Sequence, residues 1–180
     1  MNNAAALNGF LAGVEQRAFR MARYAVHDVD EALDIVQDAM LMLARKYANK
    51  PEAEWPPLFF RILRNRITDF HRRRTIRAGI FAVFAPREDA DDRREPEPQV
   101  ADGRHTEPDY RAQLDGSTER LATALEALPM RQREAFLLRA WEGLDVNATA
   151  RAMQCSAGSV KTHYSRAVHS LRDSLGDDWP

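Results

Sequence analysis

Two short stretches of this sequence carry side chains suited to holding nucleic acid. The first, FRILRNRITDFHRRR, offers Arg61, Arg64, Asn65, Thr68, Arg72 and Arg73. At about 100° per residue, with Phe59 at zero, Leu63, Ile67 and Phe70 gather at roughly 20° to 80°, while Arg61, Arg64, Asn65, Thr68 and Arg72 lie at roughly 140° to 240°. One face packs and the other is an arginine stripe beside an amide. Cationic tracking of the backbone, combined with aromatics on which bases stack, is how single strands are held, and Tyr47, Trp55, Phe60, Phe70 and His71 lie close by in sequence. Phe59 and Phe70 are expected in the core, whereas Tyr47 and Trp55 fit either role. Arg66 points to the apolar side and is expected to snorkel.

The second stretch is CSAGSVKTHYSRA. With Val160 at zero, Tyr164, Ala167 and Leu171 fall within about 40° of it, and Ser159, Thr162, His163 and Arg166 occupy roughly 200° to 300°. Short hydrogen-bonding groups and a guanidinium on the early turns of a helix suit the edges of bases in a major groove, where arginine meets guanine bidentately. Lys161, Arg131 and Arg133 are better placed for phosphates, contacts that orient without reading sequence. A solvated face on a helical bundle remains the alternative reading of this segment.

The elements that must carry these residues are helices. Leu7, Phe10, Leu11, Val14, Ala18 and Met21 recur at helical spacing, as do Ala32, Ile35, Val36, Ala39, Met40 and Leu43. Asp28 followed by Glu31 is a capping box at the start of the second helix, and the third is expected after Pro56-Pro57. Further on, Leu121, Leu125 and Leu128 mark a helix that Pro129 ends, and Ala135, Leu138 and Trp141 mark one closed by Glu142-Gly143. A short helix over Val146 to Met153 and a longer one from Ala157 to Leu171, N-capped by Ser156, make a helix-turn-helix. No stretch alternates with period two, so the fold class is all-α.

The chain has 180 residues and a formal net charge of −1, but the charge is segregated. Seven arginines and one acid lie between Arg61 and Arg77, whereas ten acids and five arginines lie between Ala85 and Ser117. Local potential rather than net charge attracts a polyanion. The acidic stretch holds four prolines and almost no large apolar residue, too little to offset its ordering entropy. It reads as a flexible linker, giving a first domain over 1–84, a linker over 85–117 and a second domain over 118–180. No apolar run is long enough to span a bilayer. The Met1 to Gly9 segment lacks the features of a signal peptide, which predicts a cytoplasmic location. Cys155 is the single cysteine and the five histidines show no ligand spacing, so neither metal nor cofactor is expected. With no nucleophile and base pair and no phosphate-cradling glycine loop, the chain is not expected to be an enzyme.

Beyond these patterns, DEALDIVQDAMLMLARKY followed by PLFFRILRNRITDFHRRR resembles region 2 of bacterial RNA polymerase sigma factors. LEALPMRQREAFLLRAWEGLDVNATARAMQCSAGSVKTHYSRAVHSLR resembles their region 4. With only the linker between them, the layout is similar to the small extracytoplasmic-function (ECF) group. The resemblance implies a transcription initiation factor whose partners are the RNA polymerase core, through the clamp helices of its largest subunit and its flap, promoter DNA, and an anti-sigma factor. It implies that Asp34, Gln37, Asp38 and Leu41 dock on the core, residues whose default reading is a solvated face. It further implies that Arg61, Arg64, Asn65 and Thr68 read the −10 element, with the loop from Tyr47 to Trp55 capturing a flipped base and Arg72, Arg73 and Arg74 near the duplex edge of the bubble. Ser159, Lys161, Thr162, His163 and Arg166, with Arg131 and Arg133, would serve the −35 element. The linker would thread the RNA exit region.

The sequence departs from the family at three places. Gln154 stands where a turn glycine is usual, raising the cost of a left-handed turn. Thr149 replaces an aliphatic residue, and the loop from Tyr47 to Trp55, with Asn49 and Lys50, is the least family-like part. The apolar run Ile76, Ile80, Phe81, Val83 and Phe84 is expected to continue a helix and pack, or to dock an inhibitory partner. Two other readings remain: a stand-alone helix-turn-helix regulator, which leaves Arg61 to Arg74 without a task, and a helical adaptor with no nucleic-acid role.

Overall fold

The computed structural model describes residues 3–84, 116–176 and 179, with side chains over 3–75 and 120–176 and at Trp179. Most of the segment read as a linker, and the side chains of the Ile76 to Phe84 run, lie outside the described residues. Helix α1 spans Asn3–Val26, α2 Val29–Tyr47, and α3 Trp55–Phe84 after a 3₁₀ turn at Glu52–Glu54. The second half holds α4 (Gly116–Ala127), α5 (Met130–Phe136), a π turn over Leu137–Trp141, α6 (Val146–Met153) and α7 (Ala157–Leu175). No strand is present among the described residues, and none of their helices is long and apolar enough to cross a membrane.

Local signals account for most of these boundaries. Asp28 caps α2 by accepting from the Glu31 amide at 3.0 Å, Asp145 caps α6 through the Ala148 amide at 2.7 Å, and Ser156 caps α7 through the Ser159 amide at 3.0 Å. Helix α3 begins at Trp55, one residue before its prolines, because a first turn tolerates residues without an N–H. The backbone of Ile76 to Phe84 continues that helix, and α4 begins at Gly116 rather than after Ser117. The helix expected through Trp141 stops being α at Phe136, since the Glu142 amide bonds to Leu137 O, one residue further back than in an α-helix, at 3.0 Å.

In the first half, α1, α2 and α3 enclose Leu7, Val14, Ala18, Ile35, Val36, Leu43, Phe59 and Leu63. Trp55 belongs to this core: it is 1% exposed, its ring tilts on Phe10, and its indole N–H donates to Tyr47 O at 3.2 Å. Phe60 and Ile62, outside the apolar stripe, are buried as well, because α3 is packed not only by α1 and α2 but also by α6. Met153, Ala152, Val160, Ala135 and Leu138 therefore share one cluster with the first three helices. A second cluster, with Leu125, Leu128, Leu137, Ala167 and Leu171, belongs to the α4, α5 and α7 side. The two modules are thus joined by a common interior. Thr149 fits its buried position because its hydroxyl donates to Asp145 O at 2.8 Å.

Candidate nucleic-acid interface

The face of α7 opposite Val160, Ala167 and Leu171 is open. Lys161, Thr162 and Arg166 are exposed and Ser159 and His163 half-buried. The Thr162 hydroxyl donates to Gly158 O at 3.1 Å, leaving its methyl free for an apolar contact. Ser159 and Ser156 share a hydroxyl bond of 2.9 Å. Partial burial, with Arg131 and Arg166 near, holds His163 below the ordinary imidazole value, so at neutral pH its ring offers one donor and one acceptor. Tyr164 stays on the packed side, stacked on Phe136 with Arg139 over its ring. This surface can form hydrogen bonds at base edges.

The α3 face is divided. Asn65, Thr68, Arg72 and Arg73 are exposed and Arg61 half-buried. The Thr68 hydroxyl donates to Arg64 O at 2.9 Å, Arg72 pairs with Asp69 at 3.3 Å, and Arg73 Nε reaches Asp69 O at 3.3 Å. Arg64, at the centre of the stripe, is only 20% exposed: its Nε lies 2.9 Å from Glu134 Oε1, and its Nη1 donates to Gln154 Oε1 at 3.1 Å. Burial raises the Glu134 pKa while Arg64 and Arg131 oppose that shift.

Arg131 and Arg133 do not lie on an open phosphate surface here. Arg131 donates to Glu134 Oε2 and Met153 O, both at 3.1 Å. Arg133 donates to Tyr24 O at 2.9 Å, Glu126 O at 2.6 Å and Leu128 O at 3.2 Å. Three carbonyls converging on one guanidinium make it a tie between modules in this arrangement. Arg66 does not simply snorkel but approaches Asp38 at 3.8 Å.

On α2, Asp34, Gln37, Asp38 and Leu41 form one exposed edge, Leu41 being 51% exposed. Leu33, 42% exposed, joins the exposed surface of the same helix and was not singled out from the sequence. Glu134, Glu142 and Arg17 were also missed, because the partners that make them conspicuous, Arg64 for Glu134 and the Arg17–Glu142 pair itself, lie across the modules. No cluster of three or more His, Cys, Asp or Glu that could hold a metal is present among the described residues.

The region 2 description of the sigma-70 family matches residues 12–76 and its region 4 description matches residues 118–171. The ECF RNA polymerase sigma factor EcfG of Rhodopseudomonas palustris (strain TIE-1) is 30% identical over 80% of this chain and 71% of that protein. The RNA polymerase sigma-E factor of Streptomyces coelicolor is 29% identical over 87% of this chain and 78% of that protein. With the sigma-E factor of Streptomyces avermitilis identity is 39% over 70 residues, a span of 39% of that protein's length. Among solved structures, the sigma factor RpoE of Bartonella quintana, in complex with the anti-sigma factor NepR, has a TM-score of 0.65 at 24% identity, covering 96% of this chain and 98% of that one. CnrH in complex with the cytosolic domain of CnrY has a TM-score of 0.56 at 20% identity, covering 98% and 96%. At those identities the likeness speaks for the fold.

Proposed function

Since the chain belongs to the ECF group of RNA polymerase sigma factors, which are transcription initiation factors, we propose that it binds the polymerase core in the cytoplasm and directs it to promoters carrying a −10 and a −35 element. The observation that carries this reading is the pairing of two nucleic-acid-suited faces, one on α3 and one on α7, within matches to both sigma regions in the family's order. The domain over 1–84 contacts the core through Asp34, Gln37, Asp38 and Leu41, and the −10 strand through Arg61, Arg64, Asn65, Thr68, Arg72 and Arg73. The domain over 118–180 reads the −35 duplex through Ser159, Thr162, His163 and Arg166, with Lys161 on phosphate. Arg131 and Arg133 join Lys161 only after leaving the partners they hold in this structure.

Melting in this scheme requires no covalent step by the chain. Unstacked bases are trapped, at a cost of a few kcal/mol each, offset by pocket contacts and phosphate neutralisation, and the polymerase makes the RNA. An anti-sigma factor is a fitting partner, as the RpoE neighbour is a complex with the anti-sigma factor NepR. A stand-alone regulator is not favoured, because region 2 would then have no task. Run-off transcription with purified bacterial core on a genomic template library tests the proposal: discrete transcripts that need both core and this chain are expected, and none at all overturns it.

A further inference from the structure

The direction in which α7 offers its polar face is set by the turn through Gln154, Cys155 and Ser156, between the end of α6 and the start of α7. Gln154 takes the left-handed conformation there, with φ of 52° and ψ of 48°, which a residue with a Cβ does not favour by itself. Such a turn persists only when its surroundings hold it. At its far end Ser156 does so, its hydroxyl accepting from the Ser159 amide at 3.0 Å. Within it, the Gln154 and Cys155 amides both return to Ala150 O.

At the near end the tie comes from outside the helix-turn-helix. The last carbonyls of an α-helix have no partner in that helix, and the last of α6, Met153 O, accepts from Arg131 Nη1 at 3.1 Å. Arg131 stands in the first turn of α5, which packs on both α6 and α7. The same nitrogen, which carries two hydrogens, also donates to Glu134 Oε2 at 3.1 Å. Glu134 lies one turn along α5 and its side chain is 11% exposed. Arg131 is thus oriented by a carboxylate of its own helix and aimed at a backbone carbonyl of the turn. Both partners belong to the second module, so the clamp needs nothing from the first.

A phosphate contact is the competing task for this guanidinium, because Arg131 is also near the reading face. After burial, it is the next cause that holds the His163 imidazole below its ordinary value. Taking up a phosphate would withdraw a donor from a helix-end carbonyl and from a buried carboxylate together, and acceptors left unmatched away from water are expensive. Lys161, exposed on α7 itself, offers the same charge to a phosphate.

We infer that Arg131 is a positioning residue for −35 recognition: oriented by Glu134, it clamps Met153 O and so fixes the angle at which Ser159, Thr162 and Arg166 meet the duplex, and it does not itself bind phosphate. The inference rests on the −35 reading proposed above for α7.

The test compares Arg131→Ala with Lys161→Ala in the complex of the full chain with bacterial core polymerase. A promoter found by the run-off screen competes with versions substituted at single −35 positions, over a series of salt concentrations. Removing a phosphate contact removes a released counterion, so Lys161→Ala is expected to flatten the slope of log affinity against log salt by about 0.9 and to keep the preference between duplexes. Arg131→Ala is expected to do the converse, keeping the slope and reducing the preference about fivefold, the lower end of what one base contact supplies. Arg131→Lys, whose ammonium still donates to a carbonyl, is expected to restore most of that preference. In the free chain, exchange of the Cys155 and Ser159 amides is expected to quicken about tenfold in Arg131→Ala, as loss of one charged hydrogen bond allows. A slope flattened as in Lys161→Ala overturns the inference, and so does a preference that survives the loss of Arg131. If the wild-type complex prefers no base at any −35 position, the −35 reading falls. Exchange in the free chain then still judges the clamp, and unchanged rates overturn it.

Discussion

The two faces of this chain suited to nucleic acid are nearly equivalent on a helical wheel and differ sharply in space. On α7 the polar arc faces solvent, with Thr162 and Arg166 exposed. On α3 the corresponding arc is partly roofed by α5 and α6, and Arg64 is spent on Glu134 and Gln154. A wheel describes a helix's own sides and says nothing of what packs against them. The comparison teaches that suitability for a ligand and availability to it are separate properties, and that here they separate at one arginine.

The largest expected effect tests whether the roof is part of the fold. Met153 is completely buried in the cluster that joins the modules. Met153→Ala is expected to cost about 2–5 kcal/mol through lost burial and a residual cavity. Because the cluster is shared, denaturant unfolding followed on α1–α3 and on α4–α7 should shift together. Loss confined to the second module would break the comparison, since α3 would then owe nothing to its cover.

Next in size is the contrast between the two arginines. Within the polymerase complex, Arg166→Ala should cost about 1–3 kcal/mol of discrimination at a single −35 position, measured by competition between promoter duplexes. Arg64→Ala should lower promoter opening in the same complex by a comparable amount. In the free chain its effect on single-stranded DNA affinity should be small, because Arg64 is already engaged. Equal losses for Arg64→Ala in the free chain and in the complex would remove the distinction between a covered and an open face.

These outcomes bear on what was legible in the sequence. Helix positions, the Asp28 and Ser156 caps and the polar arc of α7 follow from short-range periodicity and capping, which one segment encodes by itself. The uncertain Trp55 resolved into core because Phe10, far away in sequence, packs on it. Arg133, assigned to phosphates by its place in α5, instead meets carbonyls of Tyr24, Glu126 and Leu128. Glu134 is one acid in a basic stretch, and its meaning appears only when α3 lies against it. The π turn at Leu137–Trp141 left no pattern to read. What escaped was every feature defined by two modules rather than one.

A smaller effect should come from pH. Burial first, and then Arg133, Arg23 and Arg74, lower the His27 pKa below its ordinary 6.5, with Glu126 opposing. Burial, Arg74, His27 and Arg133 lower that of His71, with a hydrogen bond to the Ala25 backbone opposing. Between the depressed values and 6.5 the unfolded chain binds more protons than the folded one, so stability rises with pH across that window. The histidine contribution is complete above about pH 6.5 and is lost on acidification. Glu134 and Glu142 act in the opposite sense, since burial raises their pKa values. The comparison is therefore with His27→Gln/His71→Gln: the unfolding midpoint of the wild type should fall more between pH 7 and about pH 5 than that of the variant. Parallel slopes would show that this corner of the covered face does not feel protons.

The smallest expected effect is the most discriminating between strain and function. Gln154→Gly relieves a left-handed backbone conformation worth roughly 1 kcal/mol and removes an exposed hydrogen bond to Arg64 worth about 0.5–1.5 kcal/mol. The two nearly cancel, so the global unfolding midpoint should move little. The two effects nevertheless fall in different places: the relief belongs to the α6–α7 turn, whereas the lost bond is the one that ties this turn to α3. Amide exchange should therefore slow at Gln154 to Val160 and quicken along α3 near Arg64. Slowing at both sites would mean that Gln154 merely strains its turn, and the distinction between the open face and the covered one would then rest on Glu134 alone.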